Sequence, residues 1–186
     1  MRKLATVVLS VLIASVVAHA QGVAAKGPMS TWLRGAYQEY RDYFVRSADK
    51  VPESMYGMRP GAQQEVRTYA QILGHVANDN YYFCSAAKGE KNPKADTNLE
   101  KLATKAEMTK ALKDSFTYCD AAYDALTDAS GVAVVTVAGE NGQSTQTPRM
   151  GLLVANYGHV CEHYGNLVTY MRIKSIVPPS SEPPQR

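Results

Sequence analysis

Residues 147–173, TPRMGLLVANYGHVCEHYGNLVTYMRI, place Leu152, Asn156, His159, His163, Asn166, Tyr170 and Ile173 at alternating steps of three and four. That spacing lines seven side chains along one face of a helix. Thr147 followed by Pro148 reads as an N-cap and a first helical position. Four of the seven inward positions are Asn or His, so a face patterned to enter a core is unusually polar. Each buried polar atom left without a partner costs on the order of 1–3 kcal/mol.

Upstream, three more segments carry apolar residues at helical spacing. From Met29 a first seam runs through Leu33, Ala36, Tyr40, Phe44 and Ser47 and ends before Val51-Pro52. A second helix, expected to start near Gln63, aligns Val66, Tyr69, Leu73, Val76, Asn80 and Phe83 and stops before Lys88-Gly89. A third aligns Leu102, Ala106, Thr109, Leu112, Phe116, Cys119, Tyr123 and Leu126. Its start is open between Asp96 and the capping-box pattern Thr104-x-x-Glu107. Val132 to Val137 followed by Asn141-Gly142 suggests a small β-hairpin before the last helix. The pattern is all-α, and four amphipathic helices without an internal repeat pack most simply as a four-helix bundle over residues 29–177.

Both ends fall outside that domain. Met1-Arg2-Lys3, the apolar run Leu4 to Val17 and Ala18-His19-Ala20 have the three parts of a secretory signal peptide over residues 1–20, leaving 21–28 as a flexible N-terminus. The apolar run is shorter than the roughly 20 residues of a spanning helix. An exported protein, periplasmic or secreted and without a membrane anchor after cleavage, is the expectation. Residues 178–186, rich in proline, are expected to be extended or disordered.

With 45% hydrophobic and 20% charged residues the chain suits one globular domain. Removing residues 1–20 leaves 18 basic and 17 acidic side chains. That balance carries no electrostatic footprint for nucleic acid. Cys84, Cys119 and Cys161 form no CxxC pair and read as buried structural thiols. With helices two and three antiparallel, Cys84 and Cys119 are not expected to be bonded.

Beyond residue 20 the only histidines are His75, His159 and His163. His159 and His163, one turn apart, project from one helix face and can share a cation. His75 on another helix can supply a third nitrogen and leave a position open. Core histidines hydrogen-bonded to tyrosine or backbone partners are the alternative. His159 to His163 also spells H-x-x-E-H, the pattern of the inverted zinc proteases, with Glu162 as base. Those enzymes take a further acidic ligand from a downstream helix, and here the chain runs into prolines.

The sequence resembles the DinB/YfiT-like superfamily over roughly residues 29–179. The resemblance rests on Tyr56-Gly57-Met58-Arg59-Pro60, on Leu73-Gly74-His75-Val76, on His159-x3-His163-x-Gly165-Asn166-Leu167, and on Tyr170-Met171-Arg172 with Pro178-Pro179. It implies a four-helix bundle with a long connection before the last helix and a metal held by His75, His159 and His163. It depends on thiol chemistry in some members, which include transferases and an isomerase. Two positions depart from the pattern: Asn166 replaces a usual Gln, and Ser175 a common Gly.

Other candidates are weaker. Asp79, one turn past His75, is open among a fourth ligand, an acceptor for an imidazole N–H and a surface charge, the last two being preferred. Asp79 and Glu162 are the only candidate catalytic groups. Asn156, Tyr37, Tyr40 and Tyr82 are candidates for the pocket or for orienting a ring, and Arg59 for anchoring the loop before helix two. The expected cofactor is a divalent metal ion, zinc or nickel. The expected function is that of an exported metal-dependent enzyme, a hydrolase or transferase acting on a small molecule. A non-catalytic metal- or ligand-binding bundle is the competing reading. A homodimer through an outer bundle face is compatible with the sequence, although no exposed apolar stripe demands it.

Overall fold

The computed structural model describes residues 25–138 and 143–183. The signal-peptide expectation and the Asn141-Gly142 turn therefore lie outside the described residues. Four long helices are present: α1 (Pro28–Lys50), α2 (Tyr69–Lys88), α3 (Lys105–Ala125) and, after a short α4 (Asp128–Gly131), α5 (Arg149–Ile173). A hairpin of β1 (Val134–Ala138) and β2 (Ser144–Pro148) precedes α5, with Val134 opposite Pro148 and Ala138 opposite Ser144.

Local chemistry sets the helix ends. Proline in the first turn starts α1. The second helix begins at Tyr69 and not near Gln63, because Thr68 and Gln71 close a capping box there. Val66 consequently lies in the preceding loop, where its carbonyl accepts from Arg59 Nε at 2.7 Å. Gly89, at φ 74°, ends α2 in the left-handed region. For α3 the Thr104–Glu107 capping box is used and Asp96 is not. Thr147 belongs to β2 and Pro148 takes the N-cap position, one residue later than the sequence pattern suggested.

Contacts along the helices give their directions. Asn80 meets Ser115 and Cys84 meets Cys119, so α2 and α3 run the same way. Tyr69 meets Tyr170 while Asn80 meets Asn156, so α5 opposes α2. Tyr37 stacks on Tyr123 while Asp49 pairs with Lys113, so α1 opposes α3. The bundle is up-down-down-up.

This corrects the antiparallel pairing of helices two and three, and with it the cysteine reading. Residues 89–104 double back along α2, passing Gly74 at Leu99, and deliver α3 to the same end of the bundle from which α2 set out. Cys84 and Cys119 then stand at the same height, their Cα atoms 5.3 Å apart, and are joined by a disulfide. Cys161 is free.

Tyr37, Phe44, Tyr69, Leu73, Leu112, Phe116, Tyr123, Leu153 and Leu167 fill the core. On α5 the buried face is wider than the seven-residue seam. Leu153, Val160, Tyr164, Leu167 and Met171 are buried, whereas Asn166 and Ile173 are exposed. The segment from Pro178 is not disordered up to Glu182. Pro178 and Pro179 are buried, Tyr164 Oη donates to Ser180 Oγ, and Glu182 pairs with Arg46 and Lys50. Among the described residues no helix is long and apolar enough to cross a membrane.

Candidate metal centre

Opposed packing of α2 and α5 brings His75, in the second turn of one, against His159 and His163 on the other. One ring nitrogen from each lies within 4.8 Å of the other two. The ring centroids are 4.4–4.9 Å apart, and Nε2 of His75 stands 3.1 Å from Nε2 of His159. His163 is buried at 8% exposure, and the other two imidazoles are mostly covered.

Gly74 permits this approach. A Cβ there would lie 2.6 Å from Leu99 O and 2.7 Å from Glu100 Cα, so the returning connection packs directly on the α2 backbone. That contact brings Glu100 Oε1 to 3.4 Å from His75 Nδ1, while its other oxygen accepts from Arg67 Nε at 3.1 Å. Sequence reasoning missed Glu100. The available signal was Gly74 itself, a glycine in a helix interior beside a candidate ligand, which marks close approach of another backbone.

Asn166 Nδ2 donates to His163 Nδ1 at 3.1 Å. Rotated by half a turn, the same amide accepts from Nδ1–H and frees the Nε2 lone pair for a cation. His159 Nδ1 is buried and has no hydrogen-bond partner among the described residues. Asp79 Oδ2 lies 2.9 Å from His159 Nε2 and 3.4 Å from His75 Nε2, so it is no mere surface charge.

Electrostatics keep the site suited to a cation. Burial pushes the His163 imidazolium down to about 4, and its two histidine neighbours and Arg67 add to the shift. His75 is also lowered, chiefly by burial, with Asp79 opposing. Burial raises the Asp79 carboxyl, but the hydrogen bond from His159 and the charges of the imidazoles outweigh it and hold it below the usual range. These two histidines are therefore neutral at pH 7, the form that offers a lone pair to a metal. Three convergent imidazoles, two with the far nitrogen held by a neighbour, fit a borderline divalent cation.

The remaining candidates separate. Glu162 is exposed and makes no hydrogen bond or ion pair to the histidines among the described residues. Asn156 is buried away from the rings, donating to Asn80 Oδ1 at 2.9 Å and accepting from Tyr123 Oη at 2.9 Å. Tyr37 donates to the Phe116 carbonyl and stacks on Tyr123, which makes it core. Tyr40 packs against Tyr43, Tyr157 and Tyr164 between α1 and α5. Only Tyr82 borders the site, in a cleft of about 390 Å³ that includes Asn78, Asp79, Phe83 and Lys94. A smaller cleft of about 280 Å³ reaches His163 from the other side, past Arg67 and Tyr170.

The family model of the DinB superfamily matches residues 36–167. Among solved structures, a conserved protein from Enterococcus faecalis superposes with a TM-score of 0.62 at 12% identity, covering 82% of this chain and 99% of that one. The mycothiol-dependent maleylpyruvate isomerase superposes at 0.56 with 15% identity, and a mutant form of it at 0.57 with 14%. Each covers 74% of this chain, which spans 60% of the isomerase's length. No curated protein matches the sequence.

Proposed function

The chain belongs to the DinB superfamily, and from that premise we propose that it is an exported enzyme that uses a divalent metal ion held by His75, His159 and His163. The observation that carries the reading is the convergence of the three ring nitrogens within 4.8 Å. A divalent ion held by these neutral imidazoles would keep its charge and would supply Lewis-acid chemistry toward water or a substrate oxygen or sulfur.

The protein's own groups bind and orient. His75 is aligned by Glu100 and His163 by Asn166, so two of the rings are held before a metal arrives. Asp79 Oδ2 lies 2.9 Å from His159 Nε2 and is the carboxylate oxygen nearest the three rings. Glu162 is exposed on α5 and makes no hydrogen bond or ion pair with the rings among the described residues, so this reading gives it no role. The cleft beside Asp79, walled by Tyr82 and Phe83 and bordered by Lys94, admits a small molecule with an apolar body and an anionic end. Hydrolysis and group transfer are the two reaction classes such a site supports, and zinc and nickel the metals to try first.

Export is supported by the pattern of residues 1–20 and by the Cys84–Cys119 disulfide, a bond that persists in oxidising compartments. It also argues against a cytosolic thiol as co-substrate, in contrast to the mycothiol dependence of the isomerase.

Elemental analysis of protein purified from its own compartment tests the reading. About one equivalent of divalent metal is expected, lost in His163→Ala while the helical circular dichroism is kept. A screen of ester, amide and thiol-transfer substrates with and without chelator then tests catalysis. Full metal retention in His163→Ala rejects the site. Metal binding with no chelator-sensitive turnover favours the non-catalytic bundle.

A further inference from the structure

We infer that Asp79 supplies a fourth protein donor to the cation, through a carboxylate oxygen on the same side as the three imidazoles. The inference rests on the metal reading above and adds a residue to it. Its basis is which nitrogens Asp79 faces. A carboxylate that only orients a ligating histidine lies at the far nitrogen of the ring. That role is taken by Glu100, at Nδ1 of His75. Asp79 Oδ2 instead faces Nε2 of both His75 and His159, the two nitrogens that also face each other.

The spacing fits shared coordination. With metal–ligand bonds of about 2.0–2.2 Å, two ligand atoms of a tetrahedral ion lie roughly 3.3–3.6 Å apart. The three separations among Asp79 Oδ2, His75 Nε2 and His159 Nε2 are 2.9, 3.1 and 3.4 Å. Asp79 has no lysine or arginine ion-pair partner among the described residues, and its close ionic contacts there are with the imidazoles of His75 and His159. Its position one turn past His75 sets the approach to that ring within α2, and the packing of α5 brings His159 to the same oxygen.

The carboxylate also lines the 390 Å³ cleft. None of the three histidines lines that cleft, so a ligand entering by it would meet Asp79 before it met them.

The test uses Co(II)- and Zn(II)-loaded full-length mature protein, with Asp79→Ala and Asp79→Asn beside the parent and circular dichroism as the fold control. Zinc affinity is expected to fall at least about tenfold in both variants. Azide, a small anion that takes a free coordination position, is expected to change the visible spectrum of the Co(II) form of Asp79→Ala and to leave that of the parent unaltered. An equal azide response in parent and variant overturns the inference, and if His163→Ala still loses the metal the three-histidine reading stands. No cobalt bound by the parent removes both.

Discussion

Cys84 and Cys119 are joined across two helices that run in the same direction, with Cα atoms 5.3 Å apart and a sequence separation of 35. The bond staples α2 to α3 one helical turn beyond the Asn80–Ser115 hydrogen bond. It therefore closes the loop that carries Glu100 to His75.

Cross-linking a loop of that length restricts the unfolded chain enough to contribute about 3–4 kcal/mol. Replacing both cysteines by alanine, or adding reductant, is expected to lower the unfolding free energy by about that amount. Urea titration followed by circular dichroism measures it. A change under ~1 kcal/mol would mean that the bond adds nothing the packing does not already provide.

Gly74 and Glu100 form one unit. Gly74→Ala sets a Cβ against Leu99 O and the Glu100 backbone, and such overpacking costs about 1–3 kcal/mol. Glu100→Gln leaves the backbone alone. Its expected effect is a roughly 10–100-fold weaker zinc affinity with little change in Tm. Competition with a chromophoric chelator separates the two variants, because Gly74→Ala lowers both stability and affinity.

Ser175 has a φ of 57°, in the left-handed region that favours glycine. It follows the C-terminus of α5, where Ile176 N donates to Met171 O at 2.9 Å. A side chain in that conformation is strained by about 1 kcal/mol. Ser175→Gly is expected to stabilise the protein by about 0.5–1 kcal/mol, seen as a higher midpoint in urea.

Acid acts on the metal-free protein through the same histidines. The folded-state value of His163, about 4, lies below the unfolded 6.5, so the unfolded chain binds the proton first as pH falls. Stability is therefore fully present above pH 6.5 and declines from there to about 4. His75 has the same sign. Asp79, held below its ordinary value, adds a loss at still lower pH as it is protonated. Urea midpoints between pH 7 and 4 are expected to fall in the parent and to fall less in His163→Phe.

The amino-acid pattern alone was enough for the four long helices, the hairpin before the last of them and the three candidate ligands. Those features depend on residues within a few positions of one another. Period 3.6 places His159 and His163 on one face, and Thr104 with Glu107 caps α3 from its own first turn. The positions of Asn156 and Asp79 show where that local reading stops. Both lie one turn from a histidine in sequence, yet Asn156 turns to Asn80 and Tyr123 while Asp79 turns to the rings.

Packing alone settled helix direction, the disulfide, the burial of Pro178 and Pro179, and the arrival of Glu100 at His75. A periodic stripe specifies which side of a helix is covered but is the same for either direction of approach. The direction of α3 follows from the path of residues 89–104, and that path is held by backbone atoms meeting Gly74, a contact between parts of the chain some 25 residues apart.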